Sequence, residues 1–154
     1  MSHPNDELIE RFYAAFAERR GDPMAACYAP DAHFSDPVFP DLNGDEPGRM
    51  WRMLLDAGEP RIELVEHEAG EGRGSARWQA HYVFGETGRP VFNDIRATFR
   101  FEDGLIAEHR DEFDVHKWSR QALGLPGLLL GWTPIIRNAV QKKAGARLAE
   151  FDPS

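Results

Sequence analysis

The chain has 154 residues, of which 42% are hydrophobic and 29% are charged, the composition of an ordinary folded domain. Its 26 Asp and Glu residues outnumber 18 Lys and Arg residues, and the formal net charge of −8 argues against binding to nucleic acids or anionic membranes. The longest apolar stretch, residues 123–132, is too short to span a bilayer. Because the single Cys27 cannot form an internal disulfide, we expect a cytoplasmic protein.

The first part of the chain predicts helices. Apolar residues recur at helical spacing after Asp6, which predicts a helix with Asp6 as its N-cap and an end near Gly21. The pair Asp22-Pro23 is typical of a helix start and predicts a second, short helix. The segments that follow are a brief strand at residues 32–36, a loop at residues 37–44 and a third helix through Trp51.

Beyond Gly58 the apolar residues recur with a period of two, which indicates strands. The predicted strands are residues 61–68, 75–84, 90–101 and 105–115, separated by Gly-containing turns. Helices followed by an antiparallel meander indicate an α+β fold, with the helices packed on one concave face of the sheet.

The last quarter of the chain differs from the rest. Residues 117–123 predict a helix, residues 124–131 an apolar loop, and residues 132–151 contain a final helix that begins at Thr133-Pro134. We therefore divide the chain into a domain at residues 1–116 and a C-terminal helical extension, residues 117–154, packed on it. The apolar loop either closes a pocket or meets another subunit.

Several motifs resemble one family. Residues 28–37, Tyr-Ala-Pro-Asp-Ala-His-Phe-Ser-Asp-Pro, and residues 99–106, Phe-Arg-Phe-Glu-Asp-Gly-Leu-Ile, are similar to segments of nuclear-transport-factor-2-like proteins, in particular SnoaL-like and ketosteroid-isomerase-like members. The resemblance spans roughly residues 6–115 and implies a cone-shaped fold, with a strongly curved antiparallel sheet that surrounds a small-molecule pocket. The resemblance leaves the function of the protein open, because isomerases, hydrolases, cyclases and binding proteins all have this fold.

The resemblance also implies which side chains face the inside of the cone. Side chains alternate across a strand, so residues of one parity point inward. The residues expected to line the pocket are Tyr13, Phe16, Trp51, Trp78, Asn93, Ala97, Phe99 and Phe113.

Asp36 is the first candidate for catalysis. It stands where related ketosteroid isomerases carry their general base, and apolar surroundings would raise its pKa toward useful proton transfer. The alternative is that Asp36, which precedes a proline, only caps a turn. Steroid isomerisation itself is not expected, because Ala97 occupies the position of the protonated Asp that those enzymes use as a donor.

Asp111 is the second candidate, since its segment resembles the strand that bears the water-activating Asp of limonene-epoxide-hydrolase-like enzymes. We expect Asp111 and His109 to point into the cone as a proton-handling pair, with Tyr82 to orient a carbonyl. The departure from those enzymes is that Trp78 and Ala80 replace their Arg and Asp partners. The alternative for His109 and Asp111 is a hydrogen-bonded structural pair.

Two functions follow from these residues. The first is an isomerase, cyclase or hydrolase that acts by acid/base catalysis on a small apolar substrate, with Asp36 or Asp111 as the base. It would need no cofactor, and the His residues show no metal-ligand spacing. The second is a domain of the same fold that binds an apolar ligand without turnover.

The outer face of the sheet predicts a homodimer. The side chains expected on this face include Val83, Phe92 and Thr98 among charged residues. This mixture is suited to a two-fold contact in which each Arg meets an acid of the partner. The alternative is that the apolar C-terminal extension covers this face within one subunit.

Overall fold

The computed structural model describes residues 3–151, which form six helices and six strands within this range. The helices are α1 (Pro4–Ala17), α2 (Gly21–Ala26), α3 (Glu46–Ala57), α4 (Val115–Leu123), α5 (Leu125–Leu130) and α6 (Pro134–Glu150). The strands are β1 (Tyr28–Ser35), β2 (Leu42–Asn43), β3 (Arg61–Ala69), β4 (Arg73–Phe84), β5 (Arg89–Glu102) and β6 (Leu105–Glu112).

The six strands form one mixed sheet in the order β2-β1-β6-β5-β4-β3. The meander from β3 to β6 is antiparallel, as its period-two pattern and short turns predict. The expected fully antiparallel sheet is wrong at one place, because β1 lies parallel to β6. Parallel neighbours require a long connection, and the whole segment from β2 to β5 supplies it. The α+β fold class is confirmed.

The helices cover the concave face of the sheet, and the core lies between them. Along β5 and β6 every second side chain is buried, from Val91 to Phe101 and from His109 to Asp111, which matches the parity expected from the sequence. Helix α1 contributes the fully buried Phe12, and α3 contributes Trp51, to the same cluster. Large aromatic side chains therefore fill much of the cone.

The boundaries of several elements differ from those predicted. Helix α1 ends at Ala17, before Gly21, β2 lies inside the segment expected to be a loop, residues 37–44, and β6 ends at Glu112 instead of residue 115. Helix α1 begins at Pro4, and its N-cap is His3, whose Nδ1 accepts a hydrogen bond from the Asn5 backbone N–H at 3.0 Å; Asp6 lies in the first turn. Strand β1 begins at Tyr28, four residues before the predicted start, because a register irregularity lets the chain pass Pro30 without leaving the sheet.

The C-terminal extension packs against the open end of the sheet and against α3. Its buried Trp118 lies in a second cluster with Val91 and Ala122, beside Tyr82 and Phe84. Helix α4 follows β6 and lies beside the edge of β5, where the Gln121 side chain bonds both the N–H and the C=O of Phe92, at 2.8 and 3.0 Å. Gln121 therefore satisfies a strand edge that β6 leaves unpaired.

The expected apolar loop is in part a short helix, α5, whose leucines face solvent. Leu125, Leu128 and Leu129 are 65%, 63% and 71% exposed. The alternative in which the extension covers the outer face of the sheet is wrong, since Val83 on that face is 64% exposed. None of the helices within residues 3–151 is long and apolar enough to cross a membrane.

Charged side chains on the outer face pair within the chain. Arg77 on β4 forms two hydrogen bonds with Asp94 on β5, at 3.0 and 2.8 Å. On β6, Arg110 contacts Glu112 at 3.1 Å. These arginines are already paired, so a contact between copies of the chain does not need acids from a partner to satisfy them.

Candidate functional site

The parallel pairing of β1 and β6 brings the two candidate acids together. Phe34 lies opposite His109 and Ser35 lies opposite Arg110. Asp36 follows two residues after Phe34, and Asp111 follows two residues after His109, so both carboxylates continue the same inner face on neighbouring strands. Residues that are 75 positions apart in the chain thus become neighbours at the end of the sheet.

Both carboxylates line one open cleft of about 400 Å³. Its lining consists of Ser35, Asp36, Pro37, Pro40, Arg110, Asp111, Glu112 and Phe113. Of the eight side chains expected to line the pocket, Phe113 lines this cleft, beside the candidate acid Asp111. Trp78 and Phe99 are 5% and 4% exposed and pack in the core, because the aromatic residues of α1 and α3 fill the space over the middle of the sheet.

Asp36 is half-buried and holds the turn that follows β1. Its Oδ1 accepts hydrogen bonds from the backbone N–H groups of Val38 and Phe39, at 2.7 and 2.6 Å. Burial raises the pKa of Asp36 to about 7, and the charge of Asp111 adds to the rise, while the two backbone N–H groups oppose it. Asp36 therefore caps a turn and is also poised to exchange a proton near neutral pH.

Asp111 is 3% exposed and is bonded to a fully buried histidine. His109 Nε2 lies 2.8 Å from Asp111 Oδ1, and His109 Nδ1 lies 2.8 Å from the Tyr28 hydroxyl. The Trp51 indole N–H donates to the same hydroxyl at 2.8 Å. Burial raises the pKa of Tyr28 well above its ordinary value, so this hydroxyl keeps its proton.

Tyr28 was not among the residues that the sequence pointed to. Its partner His109 lies 81 positions away, and the irregularity in β1 interrupts the alternation that would have marked Tyr28 as inward-facing. The one local signal is a tyrosine at the start of a buried strand, since a buried hydroxyl needs a partner.

Tyr82, a predicted site residue, lies on β4 and does not line the cleft. Its hydroxyl accepts a hydrogen bond from the Trp118 indole N–H at 2.7 Å. Burial raises its pKa to about 12, the Trp118 bond opposes the rise, and the charge of Asp36 adds to it. Asn93 and Ala97 are buried on the inner face of β5, and neither lines the cleft.

Tyr13 and Phe16 of α1 are buried over the sheet, 2% and 3% exposed. Tyr13 packs against Trp78 with ring centroids 5.7 Å apart, and Phe16 packs against both Trp78 and Trp51. Within residues 3–151 the Tyr13 hydroxyl and the Trp78 indole N–H are buried without a hydrogen-bond partner. These residues act as packing elements of the cone.

One group of side chains offers the ligand types that metal ions use. Asp6, Glu10 and His67 bring a ligand atom each to within 4.8 Å of one another, between α1 and β3 and away from the cleft. His67 bridges the two acids, with Nδ1 2.5 Å from Asp6 and Nε2 3.6 Å from Glu10. The group was not visible from spacing, because His67 lies 61 positions from Asp6.

Solved structures with the same fold come from several kinds of protein. A putative polyketide cyclase from Xanthomonas campestris is 21% identical, with 77% of this chain and 96% of that chain covered and a TM-score of 0.67. An LEH-like epoxide hydrolase from M. tuberculosis is 20% identical, with 82% and 95% covered and a TM-score of 0.67. These likenesses establish the fold.

A third structure is a hypothetical protein from Catenulispora acidiphila with a ketosteroid isomerase-like fold, in complex with trimethylamine. It is 17% identical, covers 83% of this chain and 98% of its own, and has a TM-score of 0.67. No protein of curated function matches the chain. The family described as the SnoaL-like domain matches residues 9–109, which is most of the cone. The chain therefore belongs to the SnoaL-like domain family.

Proposed function

We propose that the protein is a cofactor-independent enzyme, an isomerase, cyclase or hydrolase, that moves protons on a small, largely apolar molecule. The observation that carries this proposal is the pair Asp36 and Asp111, which line one cleft with different environments. Asp36, with a pKa of about 7, is half ionised at neutral pH and therefore serves as base and acid in turn. Asp111 is hydrogen-bonded to His109 and supplies a second carboxylate.

The two carboxylates are suited to different roles because their surroundings differ. Pairs of acids whose environments separate their proton affinities are a recurrent arrangement for acid/base chemistry. Proton transfer beside a carbonyl, or activation of water at an epoxide, requires only positioned acids and bases. Phe113, Pro37 and Pro40 supply apolar contacts for the substrate at the same cleft.

The experiment is a screen of epoxides, unsaturated ketones and linear polyketone analogues in D₂O, followed by NMR. Turnover appears as protein-dependent deuterium incorporation beside a carbonyl, as ring closure or as diol formation. Asp36→Asn and Asp111→Asn are each expected to lower the rate by about 10²–10⁴-fold. Asp94→Asn is the matched control, because Asp94 lies on the outer face of β5. A rate unchanged in both cleft variants contradicts the proposal.

The second candidate is a binding domain without turnover. It is favoured by the residues Ala97, Trp78 and Ala80, which are 1%, 5% and 3% exposed and occupy positions where the resemblance predicts catalytic groups. In that case a ligand binds the cleft, and the D₂O experiment yields unchanged ligand while titration by NMR still shifts the Asp36 signal.

We propose further that the protein acts in the cytoplasm as a homodimer formed through the outer face of the sheet. Cys27 is buried and unpaired, as expected for a reducing compartment. Val83 and Phe92 supply exposed or half-exposed apolar surface beside the paired charges. Sedimentation at micromolar concentration is expected to show a species of twice 17.4 kDa, and Val83→Glu is expected to dissociate it. A wild-type species of 17.4 kDa contradicts the dimer.

A further inference from the structure

The side chains behind Asp111 form a continuous series of hydrogen bonds inside the cone. It runs from Trp51 Nε1 to the Tyr28 hydroxyl, from that hydroxyl to His109 Nδ1, and from His109 Nε2 to Asp111 Oδ1, each step 2.8 Å long. We propose that Trp51 and Tyr28 are positioning residues that hold His109 as its neutral Nε2–H tautomer, so that Asp111, and not His109, exchanges protons with a molecule in the cleft.

The direction of the first bond determines the others. An indole N–H only donates, so the Tyr28 oxygen accepts from Trp51. Among residues 3–151, the remaining partner of this hydroxyl is His109 Nδ1. If Nδ1 carried a proton, the Tyr28 oxygen would face two donors, and its own O–H would be buried without an acceptor. Tyr28 therefore donates to an unprotonated Nδ1, and Nε2–H donates to Asp111.

Within residues 3–151, the hydrogen-bond partners of His109 match a ring with one proton, because Asp111 is an acceptor at Nε2 and the Tyr28 hydroxyl is a donor at Nδ1. The neighbours of His109 are aromatic, with ring centroids of Phe99 and Phe34 at 4.5 and 4.9 Å, and Asp111 is the charged group in hydrogen-bond contact with it. An imidazolium would donate from both nitrogens, and the hydrogen bond from Tyr28 would be lost. The hydroxyl thus works against the transfer of a proton from the cleft to His109.

The accessibility of the two side chains from the cleft also favours Asp111 as the residue that exchanges protons with a bound molecule. His109 is 0% exposed and does not line the cleft, whereas Asp111 does. A neutral His109 that donates to one carboxylate oxygen fixes the orientation of Asp111 and leaves the carboxylate as the acceptor for the substrate's proton. The role of Asp111 toward a substrate rests on the proposed function, but the placement of the protons does not.

The first measurement uses the wild-type protein without ligand. Two-bond ¹⁵N–¹H correlation spectra distinguish the Nε2–H tautomer, the Nδ1–H tautomer and the imidazolium of each histidine ring. We expect His109 to be the neutral Nε2–H tautomer at pH 7. An Nδ1–H tautomer or an imidazolium overturns the proposal. Because no substrate is involved, this outcome is independent of whether the protein proves to be an enzyme.

The second measurement compares two variants that each remove one hydroxyl. Tyr28→Phe is expected to shift the His109 Nδ1 signal, because that nitrogen loses its donor. Tyr82→Phe is the matched control. Tyr82 also accepts from a tryptophan, at 2.7 Å, but within residues 3–151 no histidine bonds its hydroxyl, so His109 is expected to be unchanged. An unshifted Nδ1 signal in Tyr28→Phe, or an equal shift in Tyr82→Phe, overturns the proposal.

If Tyr28→Phe does not fold, Trp51→Phe tests the same series from its far end. Hydrogen bonds in series polarise one another, so the loss of the Trp51 donor weakens Tyr28 as a donor. Trp51→Phe is therefore expected to shift the His109 Nδ1 signal in the direction of a weaker hydrogen bond. An unchanged signal in a folded Trp51→Phe variant contradicts the proposed role of Trp51.

Discussion

Two regions of the described chain, residues 3–151, use the same hydrogen bond, from a tryptophan N–H to a tyrosine hydroxyl. Trp51 donates to Tyr28 inside the cone, and Trp118 donates to Tyr82 where α4 meets the sheet. The first bond continues to His109 and Asp111 and reaches the cleft. The second joins the C-terminal extension to the cone. The same type of hydrogen bond, from tryptophan to tyrosine, thus orients the groups behind Asp111 in one region and joins two packed elements in the other.

The largest expected difference between the two regions concerns their tryptophans. Trp51→Ala opens a cavity in the main core and is expected to lower the free energy of unfolding by about 3–5 kcal/mol. Trp118→Ala removes the centre of the smaller cluster and is expected to release α4 from β5 while the cone stays folded. Urea denaturation and hydrogen exchange of residues 115–151 measure the two effects. Uniform, global unfolding in Trp118→Ala would contradict the proposed division near residue 116.

The next largest effect is the pH dependence of the free energy of unfolding that Asp36 causes. The charge of Asp36 also raises the pKa of Tyr82, in the second region. The folded-state pKa of Asp36, about 7, lies above the ordinary value of about 3.9, so the folded state binds more protons between these values and stability falls as pH rises from about 4 to about 7. Three pKa units correspond to about 4 kcal/mol at most.

Asp36→Asn removes the loss of stability between pH 4 and pH 7, because the amide does not ionise. The amide oxygen of the new side chain still accepts from the backbone N–H groups of Val38 and Phe39. We expect the variant to match the wild type at pH 4 and to be more stable at pH 8, by up to that amount, in urea denaturation. A variant that is less stable than the wild type at pH 8 would show that Asp36 is not destabilised by burial.

A smaller difference is expected between the losses of stability caused by Tyr28→Phe and by Tyr82→Phe. Tyr28→Phe leaves both the Trp51 N–H and His109 Nδ1 without a partner in a buried site, and is expected to cost about 1–3 kcal/mol. Tyr82→Phe leaves only the Trp118 N–H without a partner, at a half-buried hydroxyl, and is expected to cost about 1 kcal/mol or less. Equal losses in thermal or urea denaturation would remove the distinction between the two regions.

The smallest effect is expected at the exposed leucines of α5. Leu129 is 71% exposed, so Leu129→Ser is expected to change the free energy of unfolding by less than about 0.5 kcal/mol. Leu148, in the same extension, is 3% exposed and is the contrasting position, where Leu148→Ala is expected to cost about 2–5 kcal/mol. A large loss in Leu129→Ser that depends on protein concentration would instead show that α5 is buried between copies.

The two central strands of the meander, β4 and β5, were the most predictable part of the fold. Residues 75–84 and 90–101 were predicted within one or two residues of β4 and β5, because alternation of buried and exposed side chains is a local signal. The start of α1 was less predictable, since Asp6 is of a preferred N-cap type, whereas the observed cap is His3, whose Nδ1 accepts from the Asn5 N–H. Helix α5 was not predicted, because its leucines remain exposed and its segment therefore lacks the alternation of buried and exposed faces that marks an amphipathic helix.

The sequence by itself determined that alternate side chains of β5 and β6 share one face, and therefore that His109 and Asp111 lie on the same face; the family resemblance assigned that face to the inside. Only the tertiary structure decided that β1 pairs in parallel with β6, which places Asp36 beside Asp111, and that Tyr28 and Trp51 close on His109. The physical reason is distance along the chain. Alternation is imposed by neighbouring residues, whereas the cleft, the pKa of Asp36 and the hydrogen bonds behind Asp111 depend on segments that meet only after the sheet has formed.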